Sequence, residues 1–332
     1  MPISGLGPHG ERATPPSSVE LSETDIAASR ERGFSVTVVM HTMNGDYSKQ
    51  QLAGIVGTLG DYGAIVPEVV DCHFDPRRQV EALDRLIASG VDAIVSIPIG
   101  NADVVEAHRR VAKAGIQLIL LDNVPTGLLP GSDYVSLVSA DNFGLGQVAA
   151  ELLSPYVPSE GHLGVLAYGV DFYATNEREI AFAKWIQANR PDVRIATRKF
   201  SAIEDARAET EALLQSDADI AALFVVWEAP AIGAMTALKA QERSVPLTTI
   251  DLGRDVAVAL ADNAIIKGIG AQQPFAQGAV GAKTTVRALL GHRVPAWVAL
   301  PALAVTQSNV IESWQMVWRA PAPNALISLR RT

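Results

Sequence analysis

FSVTVVMHTMNGDYSKQQLAGIVGTLG, residues 34–60, contains the change of period on which the fold turns. Val36–Met40 is a short apolar run rich in β-branched residues, the pattern of one buried strand. A polar loop from His41 to Tyr47 follows. Beyond it Leu52, Ile55, Val56 and Leu59 recur at helical spacing and share one face. A buried strand followed at once by an amphipathic helix is a βα unit, and repeated βα units feed a parallel sheet, because parallel neighbours need a crossover to join them. Working outward, apolar runs at Val66–Val70, Val91–Ile97 and Ile116–Leu121 alternate with helical stripes through Val80, Leu83 and Ile87 and through Val104, His108 and Val111. A second series begins after Asp141, with strands at Leu163–Ala167, Val193–Thr197, Ile220–Val226, Leu247–Ile250 and Ile265–Ile269. The pattern predicts α/β architecture with two doubly wound parallel sheets. The stripe Phe275, Ala279, Ala282, Val286 and Leu289 reads as the core-facing side of a further helix.

Bulk properties agree with two such lobes. A chain of 332 residues exceeds one ordinary core, and 48% hydrophobic against 19% charged residues excludes wholesale disorder. The formal charge of −9 offers no attraction to nucleic acid or anionic lipid. Cys72 is the one cysteine, so no intrachain disulfide or cysteine metal cluster forms, and its ordinary reading is a small buried hydrophobe. No apolar run is long enough to span a bilayer. Residues 1–33, with Pro2, Pro8, Pro15 and Pro16, are expected to be a partly disordered extension apart from a short helix around Ser22–Glu31. They lack the apolar core of a secretory signal, which leaves either an export signal already removed or a cytoplasmic chain.

Several local motifs fail on context. Gly144-Leu145-Gly146-Gln147-Val148-Ala149 has the GxGxxA outline of a dinucleotide turn, but it follows the polar stretch Ser139–Asn142 midway along the chain, and a capped helix start is the simpler reading. Gly278 to Thr284 lacks the glycine spacing and Gly-Lys-Thr order of a phosphate loop. The six histidines have no paired helical spacing for zinc, and no GxSxG elbow exists. No cofactor, metal or catalytic set is therefore assigned. What does recur is a polar or aromatic group just past the end of a strand, where open α/β sheets present their ligand crevice. His41 to Tyr47 follow the first strand, Asp122 and Asn123 the fourth, Trp227 and Glu228 the run ending at Val226, and Asp251 the run ending at Ile250. Each one singly suits a turn or cap. Together they offer carboxylates and amides to hydroxyl groups and rings to C–H faces, which a sugar requires.

From Phe34 to about Trp318 the chain resembles the ribose-type periplasmic sugar-binding proteins of bacterial ABC importers. The resemblance is carried by His41–Tyr47, Ile119–Asn123, Val138–Asn142, Ala174–Arg178, Phe224–Glu228 with Gly233-Ala234, Thr249–Asp251 and Gly270–Pro274, in that order. It implies a type I periplasmic binding protein fold. One lobe would comprise residues 34–140 plus 273–303 and the other 141–272 plus 304–332, with chain crossings near Ser139–Asn142, Gln272–Pro274 and Ala302–Thr306. It implies roles as well: His41 and Asp46 as polar contacts, Tyr47 stacking on the sugar, Asp122 and Asp251 gripping hydroxyls from the two lobes, and Gln272 beside Asp251. Phe172 lies in a loop near the ligand. Asn123 and Asn176 stand where ribose binders place arginines, Trp227 where they place asparagine, and Ser48 where a second stacking aromatic is frequent. The hydroxyl pattern of the ligand then differs from that of ribose. The implied function is a monomeric, periplasmic receptor that closes its hinge on a monosaccharide or sugar alcohol and delivers it to an ABC permease, with no enzymatic step. Two rivals share the architecture: the effector core of a LacI-type regulator, and a doubly wound enzyme using Asp122 and Asp251 as acid and base.

Overall fold

The computed structural model describes residues 3–329. Along the chain run α1 (Glu23–Arg32), β1 (Val36–Met40), α2 (Asp46–Asp61), β2 (Val69–Asp71), α3 (Pro76–Ser89), β3 (Ala93–Ser96), α4 (Val105–Lys113), β4 (Gln117–Leu121) and β5 (Ser136–Ala140). There follow α5 (Asn142–Leu153), β6 (His162–Tyr168), α6 (Tyr173–Asn189), β7 (Arg194–Phe200), α7 (Ala206–Ser216), β8 (Ile220–Val225), α8 (Glu228–Ala240), β9 (Leu247–Ile250), α9 (Arg254–Asp262) and β10 (Ile266–Ala271). The last stretch holds α10 (Pro274–Leu289), β11 (Trp297–Leu300), β12 (Leu303–Val305), α11 (Val310–Trp318) and α12 (Asn324–Ser328). Two compact units result. The first is Gly5–Ala140 with Gln273–Leu300, and the second is built on Asp141–Gln272 and the chain beyond Leu300.

The first unit has a parallel sheet in the order β11-β5-β4-β3-β1-β2. The second unit repeats it as β12-β10-β9-β8-β6-β7, parallel except that the short β12 runs antiparallel to β10. In each unit the first strand, β1 or β6, lies between its second and third, so the winding reverses there and helices cover both faces. Central strands are buried on both sides, and every residue of Val36–Met40 and Leu247–Ile250 is buried, the small β-branched Thr37, Thr248 and Thr249 included. Three strands escape the sequence pattern: β5, β11 and β12. β11 and β12 have four and three residues, and Ser136 and Ser139 interrupt the apolar residues of β5, so a partner strand is needed to define them.

Residues read from sequence as a loose extension have specific contacts. Thr14 bridges Val298 at the edge of β11, donating to the Trp297 carbonyl at 3.0 Å and accepting from the Ala299 amide at 3.1 Å. Val19 is fully buried in the first unit's core. Ser22 and Asp25 then form a reciprocal capping box at the start of α1, and Gly33, at φ 61°, ends it in the left-handed conformation that glycine tolerates.

Helix packing differs from the stripe read in sequence. On α2 the buried residues are Ser48, Gln51, Gly54, Ile55 and Leu59, whereas Val56 is 37% exposed. The reason is a close crossing with α10. A Cβ on Gly54 would lie 2.1 Å from the Phe275 carbonyl oxygen, and one on Gly278 would lie 2.1 Å from the Gln51 carbonyl oxygen. Two glycines facing across the crossing let backbone meet backbone and rotate the helix so that Gln51, not Val56, faces inward. The second unit uses the same device between α5 and α6, where a Cβ on Gly146 would lie 2.2 Å from the Arg178 carbonyl oxygen. The GxGxxA stretch is thus a capped helix start with a packing glycine: the Asp141 carboxylate accepts from the Gly144 amide at 2.9 Å.

Gly54→Ala and Gly278→Ala should each destabilise the first unit by about 1–3 kcal/mol, the usual cost of overpacking. Gly57→Ala, on the exposed side of α2 with open space around it, should leave stability unchanged or raise it by up to about 1 kcal/mol through helix propensity. Urea unfolding followed by circular dichroism distinguishes the two outcomes.

Candidate functional site

In the first unit the chain leaves β4 through Asp122, which sits at φ 60°, a left-handed conformation uncommon for a residue with a side chain. Its amide donates to the Val138 carbonyl on β5 at 3.2 Å. One carboxylate oxygen accepts from Gln277 Nε2 at 2.5 Å and the other from Gln51 Nε2 at 3.0 Å. Tyr47 Oη lies 2.9 Å from Gln277 Oε1 and 3.4 Å from the Asp122 carboxylate, and the shorter contact takes its proton. Tyr47 and Gln51 are one turn apart on α2, and Gln277 is on α10, so the glycine crossing brings the set together.

His41 lies just past β1, partly exposed, with its ring edge-on to Phe74 at 5.0 Å between centroids. Its Nδ1 is buried with no hydrogen-bond partner. Burial lowers its pKa from 6.5 to about 4, against the pull of the nearby Asp71 carboxylate, so the ring is neutral at pH 7. Asp46 is exposed in the first turn of α2, where a carboxylate favours the helix dipole. Asn123 is fully buried, and its amide donates to the carbonyls of Pro98 at 3.2 Å and Gly100 at 3.0 Å, bracing the loop after β3.

The second unit repeats the central feature. Asp251 leaves β9 at φ 73°, with its amide donating to the Gly270 carbonyl on β10 at 2.8 Å. Its carboxylate accepts from Gln272 Nε2 at 2.7 Å, and Arg178 Nη1 lies 3.7 Å away. Arg178, 6% exposed at its side chain, also donates to Asn142 Oδ1 at 3.0 Å and to the Val226 carbonyl at 3.3 Å. Desolvation raises the Asp251 pKa, while Arg178 and the Gln272 hydrogen bond oppose the rise. Trp227, second residue past β8, packs edge-on to Tyr168 at 5.0 Å and tilted against Phe200 at 5.1 Å, which makes an aromatic corner of the ends of β8, β6 and β7. Phe172 stands at the start of α6, its carbonyl accepting from the Asn176 amide at 3.0 Å. The Asn176 side chain donates to Asp171 at 2.7 Å.

The family model described as "Periplasmic binding protein domain" matches residues 36–293. The chain belongs to this family. Among relatives of the periplasmic binding protein, the ribose import binding protein of Bacillus subtilis is 22% identical over 276 residues, covering 82% of this chain and 88% of its own. An ABC transporter solute-binding protein from Agrobacterium vitis, solved with α-D-tagatopyranose, matches with a TM-score of 0.76 and 22% identity, covering 88% of this chain and 100% of its own. One from Bacillus halodurans, solved with myo-inositol, gives 0.76 and 20%, covering 85% and 97%. The shared property at these identities is the fold. Among the described residues no helix is long and apolar enough to cross a membrane.

Of the residues singled out in sequence, the structure of this periplasmic binding protein brings Tyr47 to Asp122 and Gln272 to Asp251. Asn123, Asn176 and Phe172 have local bracing contacts, and Asp46 lies exposed. Sequence reasoning passed over Gln51, Gln277 and Arg178. The signal available was polarity on a buried stripe: Gln51 stands one turn before Ile55 and two before Leu59, and Gln277 adjoins Gly278 and Val280.

Histidines set a pH dependence. His108, wholly buried, donates from Nδ1 to the Val104 carbonyl at 2.9 Å, so Nε2 must accept from Ser96 Oγ at 3.0 Å, and burial lowers its pKa to about 4. In the unfolded chain both His41 and His108 take up a proton near 6.5, the ordinary value. Between about 4 and 6.5 the unfolded state binds more protons, so stability falls as pH drops through that window. The loss should be on the order of 2–3 kcal/mol for His108, and urea midpoints measured from pH 7 to 4 should show a shallower slope in His108→Gln and in His41→Gln.

Proposed function

We propose that the chain is the solute-binding receptor of an ABC importer, taking up a monosaccharide or sugar alcohol in the periplasm as a monomer and handing it to the membrane permease without chemical change. One observation carries the ligand class. In each unit, at the same place in the winding, an aspartate sits in the left-handed region past the fourth strand, its carboxylate oriented by side-chain donors. A carboxylate accepts hydrogen bonds through two oxygens, and adjacent hydroxyls suit such a pair. Tyr47 and the Trp227 corner supply apolar faces for C–H groups, the other half of sugar recognition. Membership of the periplasmic binding protein family supports the receptor role, as do relatives named for ribose import and solved with tagatopyranose and myo-inositol. No reaction is assigned to Asp122 or Asp251, since each is placed to accept hydrogen bonds.

A thermal-shift panel of D-ribose, D-arabinose, D-tagatose, myo-inositol and allitol tests this reading. A member present at 100 times its Kd should raise the melting temperature by about 5–10 °C. Asp122→Ala and Asp251→Ala should each abolish the shift while circular dichroism remains that of the native fold. Retained shifts in both variants would remove the assigned groups from the site. A shift given by amino acids or nucleosides, with none from sugars or polyols, would replace the ligand class. Incubation with the bound sugar should yield no product.

A further inference from the structure

Gln277 is 1% exposed and its amide orientation is forced by its neighbours. Nε2 faces two groups that can only accept, the Asp122 carboxylate at 2.5 Å and the Val138 carbonyl at 3.2 Å, while Oε1 faces the Tyr47 hydroxyl at 2.9 Å. Both N–H groups and the carbonyl oxygen of that amide thus have distinct partners. Gln51 is fully buried and turns its Nε2 to the other Asp122 oxygen, which leaves its own Oε1 buried without a partner. Buried carbonyls without a donor are rare in native proteins, because the group has given up water and received nothing in return. An apolar side chain at either position would fill the helix crossing without that loss. The amides are therefore explained by what they do to Asp122.

We propose that Gln277 and Gln51 are positioning residues: they hold the Asp122 carboxylate in the one orientation in which it meets ligand hydroxyls. This rests on Asp122 being a ligand contact, as argued above. Each glutamine donates one N–H to a different oxygen, so the carboxylate plane is set from two helices and the ordering of Asp122 precedes ligand arrival. The Gly54 and Gly278 crossing is what sets the two amides at that spacing.

Gln277→Leu and Gln277→Glu together test the proposal. Leucine fills space and donates nothing. Glutamate set against Asp122 repels it when both are ionised, but the pair sharing one proton restores a donor to Asp122 with the original net charge. The best binder of the sugar and polyol panel, titrated by calorimetry, should bind Gln277→Leu about tenfold more weakly than the wild type at both pH 8 and pH 5. Gln277→Glu should be at least as weak at pH 8 and return to within about threefold of the wild type at pH 5. Melting temperatures without ligand should follow the same course, with the gap between Gln277→Glu and the wild type narrowing as pH falls. A role in packing alone predicts wild-type affinity in Gln277→Leu, and a recovery of Gln277→Glu that is unchanged when Asp122 is also replaced by asparagine. The proposal is overturned by wild-type affinity in Gln277→Leu, or by a melting gap in Gln277→Glu that is the same at both pH values. If no panel member binds the wild type, the ligand reading fails, and the loss of that recovery when Asp122 is also replaced by asparagine decides whether Gln277 holds Asp122.

Discussion

Backbone-to-backbone contact between α2 and α10, possible only where Gly54 and Gly278 carry no side chain, is the constraint on which the polar centre of the first unit depends. Any larger residue at either position would meet a carbonyl oxygen and force the helices apart. The side chains that reach Asp122 would then lose it, because Gln51, Tyr47 and Gln277 approach from those two helices and hydrogen bonds weaken steeply beyond ordinary length. The second unit solves the same problem with one glycine. Gly146 brings α5 against α6, and Arg178 can then reach both Asn142 and the neighbourhood of Asp251.

Both aspartates occupy backbone conformations that carry an energetic cost, on the order of 1–3 kcal/mol for a non-glycine residue in a sparsely populated region. Their amides remain tied to the adjacent strand, to Val138 in one unit and Gly270 in the other, so the chain makes the turn without losing its ladder bond. The two carboxylates are then supported in chemically different ways. Asp122 receives amide hydrogens from two helices, whereas Asp251 combines an amide with a guanidinium and is sufficiently desolvated for its pKa to rise. A charged donor is strong, but burial costs both ions. Arg178 offsets that cost through its further bonds to Asn142 and the Val226 carbonyl.

Around these centres the surroundings are braced by specific contacts. The aromatic corner of Trp227, Tyr168 and Phe200 joins three strand ends and gives Trp227 two ring contacts of its own. Asn123 and Asn176 donate to nearby loop acceptors, which steadies the segments flanking Asp122 and preceding Arg178. Such local bracing is what an oriented site requires, since a polar group that can swing loses affinity to its own freedom.

Most strands and both sheets were legible in the sequence, because a strand buried on two faces is mainly apolar and β-branched and its helix must repeat at 3.6 residues. The places of Asp122 and Asp251 in the fold were legible for a related reason: each directly follows such a run, at the end of its strand. The strands β5, β11 and β12 were not legible, being short and dependent on partners for their identity. Neither were Gln277 and Gln51, which lie 155 and 71 residues from the aspartate they orient. Local pattern specifies which face of an element is buried, but it holds no information on which distant side chain will share that burial. The winding of the sheet and the depth of the glycine crossings decide that, and so the sequence determined the fold and its carboxylates while the tertiary structure decided what holds them.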